Sequence, residues 1–131
     1  MTKFKSTKYT KSLEHANKGI RVAIKSQRNF RFHIIAAVLV ILGAAILKFN
    51  MLEMCIIILA IGFVIVAELF NSVIEFALDA LYHNKRNTLV GLAKDMSAGA
   101  VLIAAFTSGI IGAILFFNHI YDIIIQGIFW F

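Results

Sequence analysis

An all-α fold that crosses a membrane three times is predicted by three observations. The 131 residues are 60% hydrophobic and include no proline, whereas a soluble domain averages about 45–50% apolar residues. The apolar residues gather in three long blocks, each near the roughly 20 residues that a membrane span needs. The charge is one-sided. Residues 1–33 hold nine Lys/Arg against one acid, Glu14, a net +8, while the whole chain carries +6.

The elements follow in order. Residues 1–10 are basic and polar and are expected to fray. Residues 11–28 read as an amphipathic surface helix, with Leu13, Ala16, Ile20, Ala23 and Ile24 on one face. Lys11, Lys18, Arg21, Lys25 and Arg28 fall mostly on the other face, a pattern that suits an anionic membrane surface. The first span is expected over 32–49, where Lys48 can snorkel. The second is expected over 51–81 and is longer than a bilayer requires, so its end projects into the interface. The third is expected over 96–117. It carries Ala100, Ala104, Ser108 and Gly112 at four-residue spacing, a packing stripe that lets helices approach closely. The tail 120–131 is apolar and aromatic, too short to span, and suited to the interface through Tyr121, Trp130 and Phe131. The whole chain reads as a single membrane domain.

The positive-inside rule sets the N-terminus in the cytosol and the C-terminus outside. The loop Tyr82–Asp95, with Lys85, Arg86 and Lys94, then also lies inside, in keeping with its basic character. Nucleic acid is a poor partner for the basic leader, which runs straight into a span. No cleavable signal peptide is expected. The single cysteine, Cys55, cannot pair within the chain and is expected to be a small buried hydrophobe. Three spans in so short a chain leave little internal room, so a complete site is expected to need oligomerisation.

The chemistry is expected on the second span. Glu68, Asn71, Glu75 and Asp79 fall within about 80° of one another at 100° per residue, so one helical face carries them all. Ionisable groups at membrane depth are expensive and mark function. Glu68 to Asp79 covers about 16 Å of axis, from inside the hydrocarbon to its edge. Glu68, flanked by Val66, Ala67 and Leu69, suits a general base for a lipid-borne hydroxyl. Glu75 and Asp79 lie shallower, where one or two carboxylates plus phosphate oxygens can hold Mg²⁺. Lys94 can offset phosphate charge. The bland alternative is a polar seam that glues helices together. A cation-coupled transporter is the other functional alternative, since intramembrane carboxylates also line ion paths.

The segment Glu68-Leu-Phe-Asn71-Ser-Val-Ile-Glu75-Phe-Ala-Leu-Asp79 resembles the E-x-x-N-[ST]-A-I-E-x-x-x-D signature of prokaryotic diacylglycerol kinases, a family that includes Gram-positive undecaprenol kinases. Ala93-Lys94-Asp95-Met-Ser-Ala-Gly99-Ala-Val101 is similar to its A-K-D-x-[AG]-A-G-A-V stretch. Arg28-Asn29-Phe30-Arg31-Phe32-His33 is similar to its E-R-N-x-[RK]-x-H stretch. The likeness covers about residues 12–117.

The resemblance implies homotrimers in a bacterial inner membrane and transfer of the ATP γ-phosphate, with Mg²⁺, to a lipid hydroxyl. Undecaprenol is favoured over diacylglycerol by the R-N-x-R-x-H form. By position, Glu68 matches the catalytic base and Asn71 supports the site. Glu75 matches a metal-linked carboxylate, and Asp79, Lys94 and Asp95 match nucleotide-site residues. Gln27 stands where the family has a second metal-linked glutamate. It keeps a nucleotide- and metal-facing position but brings no charge, so a weak or inactive homologue is a further alternative. His83 also departs from the family's loop spacing, and adenine contacts are not carried over to it.

Overall fold

The computed structural model describes residues 3–82 and 87–129, with side chains from Tyr9 onward to Tyr82 and from Asn87 to Ile125. Among the described residues there are four helices, α1 Lys3–Ser26, α2 Arg28–Ile46, α3 Met51–Tyr82 and α4 Thr88–Phe129. Three of them, α2, α3 and α4, are long and apolar enough to cross a membrane. His83, Lys85, Arg86, Trp130 and Phe131, which the sequence places in a loop and a tail, lie outside the described residues.

The first helix runs further than expected toward the N-terminus and stops short of residue 28, because the chain breaks at one residue. Gln27 is extended, with φ −103° and ψ 116°. The break is held by Arg31, whose Nη1 donates to the carbonyls of Ile24 at 3.0 Å and Lys25 at 3.1 Å. Those carbonyls would otherwise lack partners at the end of α1, where a cation is also favoured. Phe30, 2% exposed, pins the hinge from the α2 side. The helix that carries the first expected span therefore begins at Arg28, four residues before residue 32.

That helix ends at Ile46, in a glycine-free Schellman turn. Phe49 N–H donates to Ala44 O at 3.0 Å and Lys48 N–H to Ala45 O at 3.1 Å. Lys48 takes the left-handed conformation, φ 56°, that this motif demands. Asn50 then caps α3 reciprocally with Glu53. Glu53 N–H reaches Asn50 Oδ1 at 3.0 Å, and Asn50 N–H reaches Glu53 Oε2 at 2.8 Å.

The cap also docks on α4. His119 Nε2 lies 2.9 Å from Glu53 Oε2, and because a carboxylate only accepts, His119 donates. Its ring stacks on Phe49 at 4.3 Å, and Phe49 packs on Phe116 at 4.9 Å. Gly43 makes room for that ring, since a Cβ there would meet Phe116 at 3.0 Å.

The loop after α3 is shorter than Tyr82–Asp95. Asn87 Oδ1 accepts from Leu89 N–H at 2.9 Å, an N-cap that starts α4 at Thr88. From there the helix continues without a break through 96–117 and into the tail, which is not a separate segment. Neither Asn118 nor His119 is the proline or glycine that would stop a helix. At 1.5 Å per residue, α4 is about 63 Å long and α3 about 48 Å.

The third helix packs most extensively on α4 and less on α2, while α1 meets the bundle near the hinge. Ala104, 1% exposed, and Ser108, whose hydroxyl donates to Ala60 O at 3.0 Å, make the small-residue stripe an α3–α4 seam. Cys55 is exposed, not buried. An apolar run that faces lipid has the same composition as one that faces protein, so its burial was not decided by its neighbours.

His119→Ala removes a hydrogen bond and a ring stack from the α2–α3 turn. It is expected to lower the thermal midpoint in detergent by several degrees. Asp122→Ala, one turn further along at an exposed position, is expected to leave the midpoint within error in the same melt.

Candidate functional site

The acid–amide face of α3 lies where three elements converge: the Gln27 hinge, α3 itself and the first turns of α4. Glu68 is 2% exposed, Asn71 6% and Ser72 2%, all within a helix whose other faces are apolar. Glu75 and Asp79 are half-buried. The gradient follows the helix axis. The stripe is deeply covered at Glu68 and opens toward Asp79.

A chain of hydrogen bonds ties the stripe together. Gln27 Nε2 donates to Glu75 Oε2 at 3.4 Å. Asn71 Nδ2 donates to Glu75 Oε1 at 3.2 Å. Ser97, 8% exposed on α4, lies with Oγ 2.6 Å from Asn71 Oδ1 and 2.8 Å from the carbonyl of Lys94. Both carboxylate oxygens of Glu75 thus accept from a neutral amide, which satisfies them without a second charge.

Lys94 and Asp79 form an ion pair at the open end, with side chains 33% and 42% exposed. An exposed pair of this kind contributes little to stability. It holds the lysine beside the stripe all the same.

Glu68 stands apart from this chain. Ser72 Oγ donates to its backbone carbonyl at 3.0 Å, and no described residue donates to its carboxylate. A cleft of about 340 Å³ between α1 and α3 runs beside this turn, lined by Val22, Ala23, Leu69, Ser72, Val73 and Phe76. An apolar cavity of about 340 Å³ between α2, α3 and α4 reaches Val64 and Ile65, one turn short of Glu68.

The structure therefore brings together Gln27, Asn71, Glu75, Asp79 and Lys94 along one face, with Glu68 at its covered end. It does not bring Asp95 in. That residue is exposed on α4 and has no hydrogen bond or ion pair to the others. Sequence reasoning passed over Ser97. The available signal was its place in the A-K-D stretch, where the related pattern has alanine or glycine, and its position one turn beyond Lys94.

The donor set is compatible with a hard cation. Glu75 offers a carboxylate, and Gln27, whose Nε2 faces that carboxylate, would offer its amide oxygen with the amide turned over; Mg²⁺ is commonly held by one or two carboxylates with phosphate oxygens and water completing the shell. No group of three or more His, Cys, Asp or Glu that could cage a metal by itself occurs among the described residues. An ion here would complete its shell with water or with oxygens of a bound phosphate.

Three helices able to cross a membrane, with a buried acid, amide and hydroxyl on the central one, define a multi-pass membrane protein with a polar site on that helix. The chain belongs to the prokaryotic diacylglycerol kinase family, whose model matches residues 14–116. It is 38% identical over 109 residues to an undecaprenol kinase of Bacillus subtilis (83% of this chain, 88% of the relative). It is 35% identical over 104 residues to a diacylglycerol kinase of Synechocystis (79% of this chain, 59% of the relative). It is 32% identical over 116 residues to a diacylglycerol kinase of Escherichia coli (86% of this chain, 92% of the relative).

Gln27→Glu sets a second carboxylate against Glu75, so like charges face each other unless a cation lies between them. Its thermal midpoint is expected to fall below that of the parent chain in EDTA and to recover with millimolar Mg²⁺. The parent chain is expected to show a smaller Mg²⁺ response in the same melts.

Proposed function

We propose that this protein is an ATP-dependent lipid kinase of the bacterial inner membrane that phosphorylates the hydroxyl of a membrane lipid, undecaprenol in preference to diacylglycerol. The observation that carries the reading is the graded stripe. A covered carboxylate, Glu68, stands at one end, and a charged, open end stands about 16 Å further along the helix. Family membership and the kinase names of the relatives support it. The Bacillus relative, an undecaprenol kinase, is 38% identical, and the Escherichia relative, a diacylglycerol kinase, is 32% identical.

With the N-terminus in the cytosol, α3 runs from outside to inside. Counted from Met51, Glu68 lies about 26 Å along the axis, within a hydrocarbon core of about 30 Å. Glu75 and Asp79 then fall in the cytosolic interface, where nucleotide is dissolved. The exposed Leu13 and Ile20 of α1 would rest on that surface, with the basic face toward lipid headgroups. Apolar space below Glu68 suits the hydrocarbon part of the substrate. Three copies would together supply the covering that one narrow bundle lacks.

In this reading Glu68 takes the proton from the lipid hydroxyl as its oxygen bonds to the γ-phosphorus. The bond from that phosphorus to the bridging oxygen breaks, and ADP leaves with the electron pair. Glu75 and Gln27 would hold Mg²⁺, which when bound neutralises charge on the transferring phosphoryl group. Asn71 orients Glu75. Lys94, released from Asp79, faces the phosphates, and Asp95 contacts the nucleotide from the rim. No covalent enzyme intermediate is needed.

The test is transfer of labelled phosphate from ATP in mixed micelles, with undecaprenol and diacylglycerol offered separately. Phosphorylation of undecaprenol at the higher kcat/KM is expected. A higher value for diacylglycerol would reverse the lipid assignment, and transfer to neither by folded protein would overturn the kinase reading. Glu75→Gln is expected to raise the KM for MgATP at least tenfold, roughly the cost of one charge-assisted contact, as read from the same assay.

A further inference from the structure

We infer that Ser97 is a positioning residue for Glu75, acting through the amide of Asn71. The inference rests on the reading of Glu75 as the carboxylate that faces metal and phosphate, and it extends the site from α3 onto α4.

The geometry leaves little choice of orientation. A carboxylate accepts and does not donate, so the Asn71 atom facing Glu75 Oε1 at 3.2 Å must be Nδ2. Its Oδ1 then points toward α4, where it needs a donor. Ser97 Oγ, 2.6 Å away, is the only such donor among the described residues. The hydroxyl has one proton and a second acceptor, the Lys94 carbonyl at 2.8 Å. If the proton went wholly to Lys94, two oxygens would face each other at 2.6 Å. The Asn71 side therefore takes the proton, and the Lys94 carbonyl shares it in a three-centre bond.

Burial makes the arrangement consequential. Ser97 and Asn71 are 8% and 6% exposed, so water cannot readily replace a lost partner. Without the hydroxyl, Oδ1 is left unpaired in an apolar setting. The amide is then free to turn, and Glu75 loses its donor on Oε1. Gln27, at 3.4 Å, is the longer of the two contacts and cannot hold the carboxylate alone. The same hydroxyl links the turn that carries Lys94 to the face that carries Glu75. It thereby sets the spacing between the site's cation and its metal-facing anion.

A control lies on the same helix pair. Ser108 also joins α4 to α3 through its hydroxyl, donating to Ala60 O at 3.0 Å, about three turns along α4 from Ser97. Loss of either hydroxyl loosens the α3–α4 seam. Loss of Ser97 alone disturbs Glu75.

The experiment compares Ser97→Ala, Ser97→Thr and Ser108→Ala in the full chain in lipid–detergent micelles. Binding of Mn²⁺ with a non-hydrolysable ATP analogue is read by electron paramagnetic resonance, alongside KM for MgATP, kcat and the thermal midpoint. Ser97→Ala is expected to weaken Mn²⁺ binding and raise KM by about three- to tenfold, the range one hydrogen bond commands, with a smaller change in kcat. Ser97→Thr, which keeps the hydroxyl, is expected to restore both. Ser108→Ala is expected to lower the midpoint and leave Mn²⁺ binding unchanged. Parental Mn²⁺ binding by Ser97→Ala, or equal weakening by Ser108→Ala, would overturn the inference. Should Ser97→Ala fail to fold, Ser97→Cys, a poorer donor of similar volume, takes its place with the same outcomes. A parent chain that transfers no phosphate, while Ser97→Ala still weakens Mn²⁺–nucleotide binding, would overturn the kinase reading and support the positioning role.

Discussion

The requirement that organises this structure is that Glu75, a half-buried carboxylate on an otherwise apolar helix, keeps a donor on each oxygen. Loss of either donor leaves an oxygen of a partly covered carboxylate unpaired. Two neutral amides meet the requirement, Gln27 from the hinge and Asn71 from the same helix, and Asn71 is in turn held by Ser97 of α4. Each donor comes from a different part of the chain. The break between α1 and α2, the register of α3 on α4 and the start of α4 at Asn87 must all be correct for the chain of bonds to close. A side-chain network thus couples the folding of one end of the molecule to the geometry of its site.

The opposite end solves a different problem by different means. There the Schellman turn, the reciprocal Asn50–Glu53 cap and the His119–Phe49 stack fasten the α2–α3 connection to α4. Those contacts fix where α3 begins, and the unbroken helix carries that register to Glu68, seventeen residues after Met51. Between the two ends lies the small-residue seam of Ala104 and Ser108, which keeps α3 and α4 close enough for Ser97 to reach Asn71. Of the carboxylates on the α3 stripe, Glu68 is the one that no described residue donates to, at the covered end, which is where a base for a lipid-borne hydroxyl would act.

Much of this could be read from residue order because two periodicities are strong. Apolar blocks of span length announce α2, α3 and α4, and the 3.6-residue repeat puts Glu68, Asn71, Glu75 and Asp79 on one face whatever they touch. The hinge was expected between residues 28 and 32 and lies at Gln27, because Ser26-Gln27-Arg28 contains no glycine or proline to mark it. It is made by Arg31 folding back onto the α1 carbonyls, a contact that no local rule anticipates. The uninterrupted α4 was hidden by the change from small to aromatic residues near Phe117, which alters the surroundings of a helix and not its backbone. Cys55 was misplaced because lipid and protein interiors select the same residues. Ser97 was missed since a lone serine in a small-residue stretch carries no pattern, and only its 2.6 Å approach to Asn71 reveals a role.

In the proposed kinase, Glu68 and the Glu75 network do different work on one face, the first moving a proton and the second holding the nucleotide. Single-turnover phosphate transfer by Glu68→Gln, measured beside equilibrium MgATP binding by the same protein, separates the two most directly. The account predicts loss of transfer by at least a hundredfold, the lower range for a general base, with nucleotide affinity within a few-fold of the parent. Transfer at near-parental rate by that variant, with affinity intact, would contradict it.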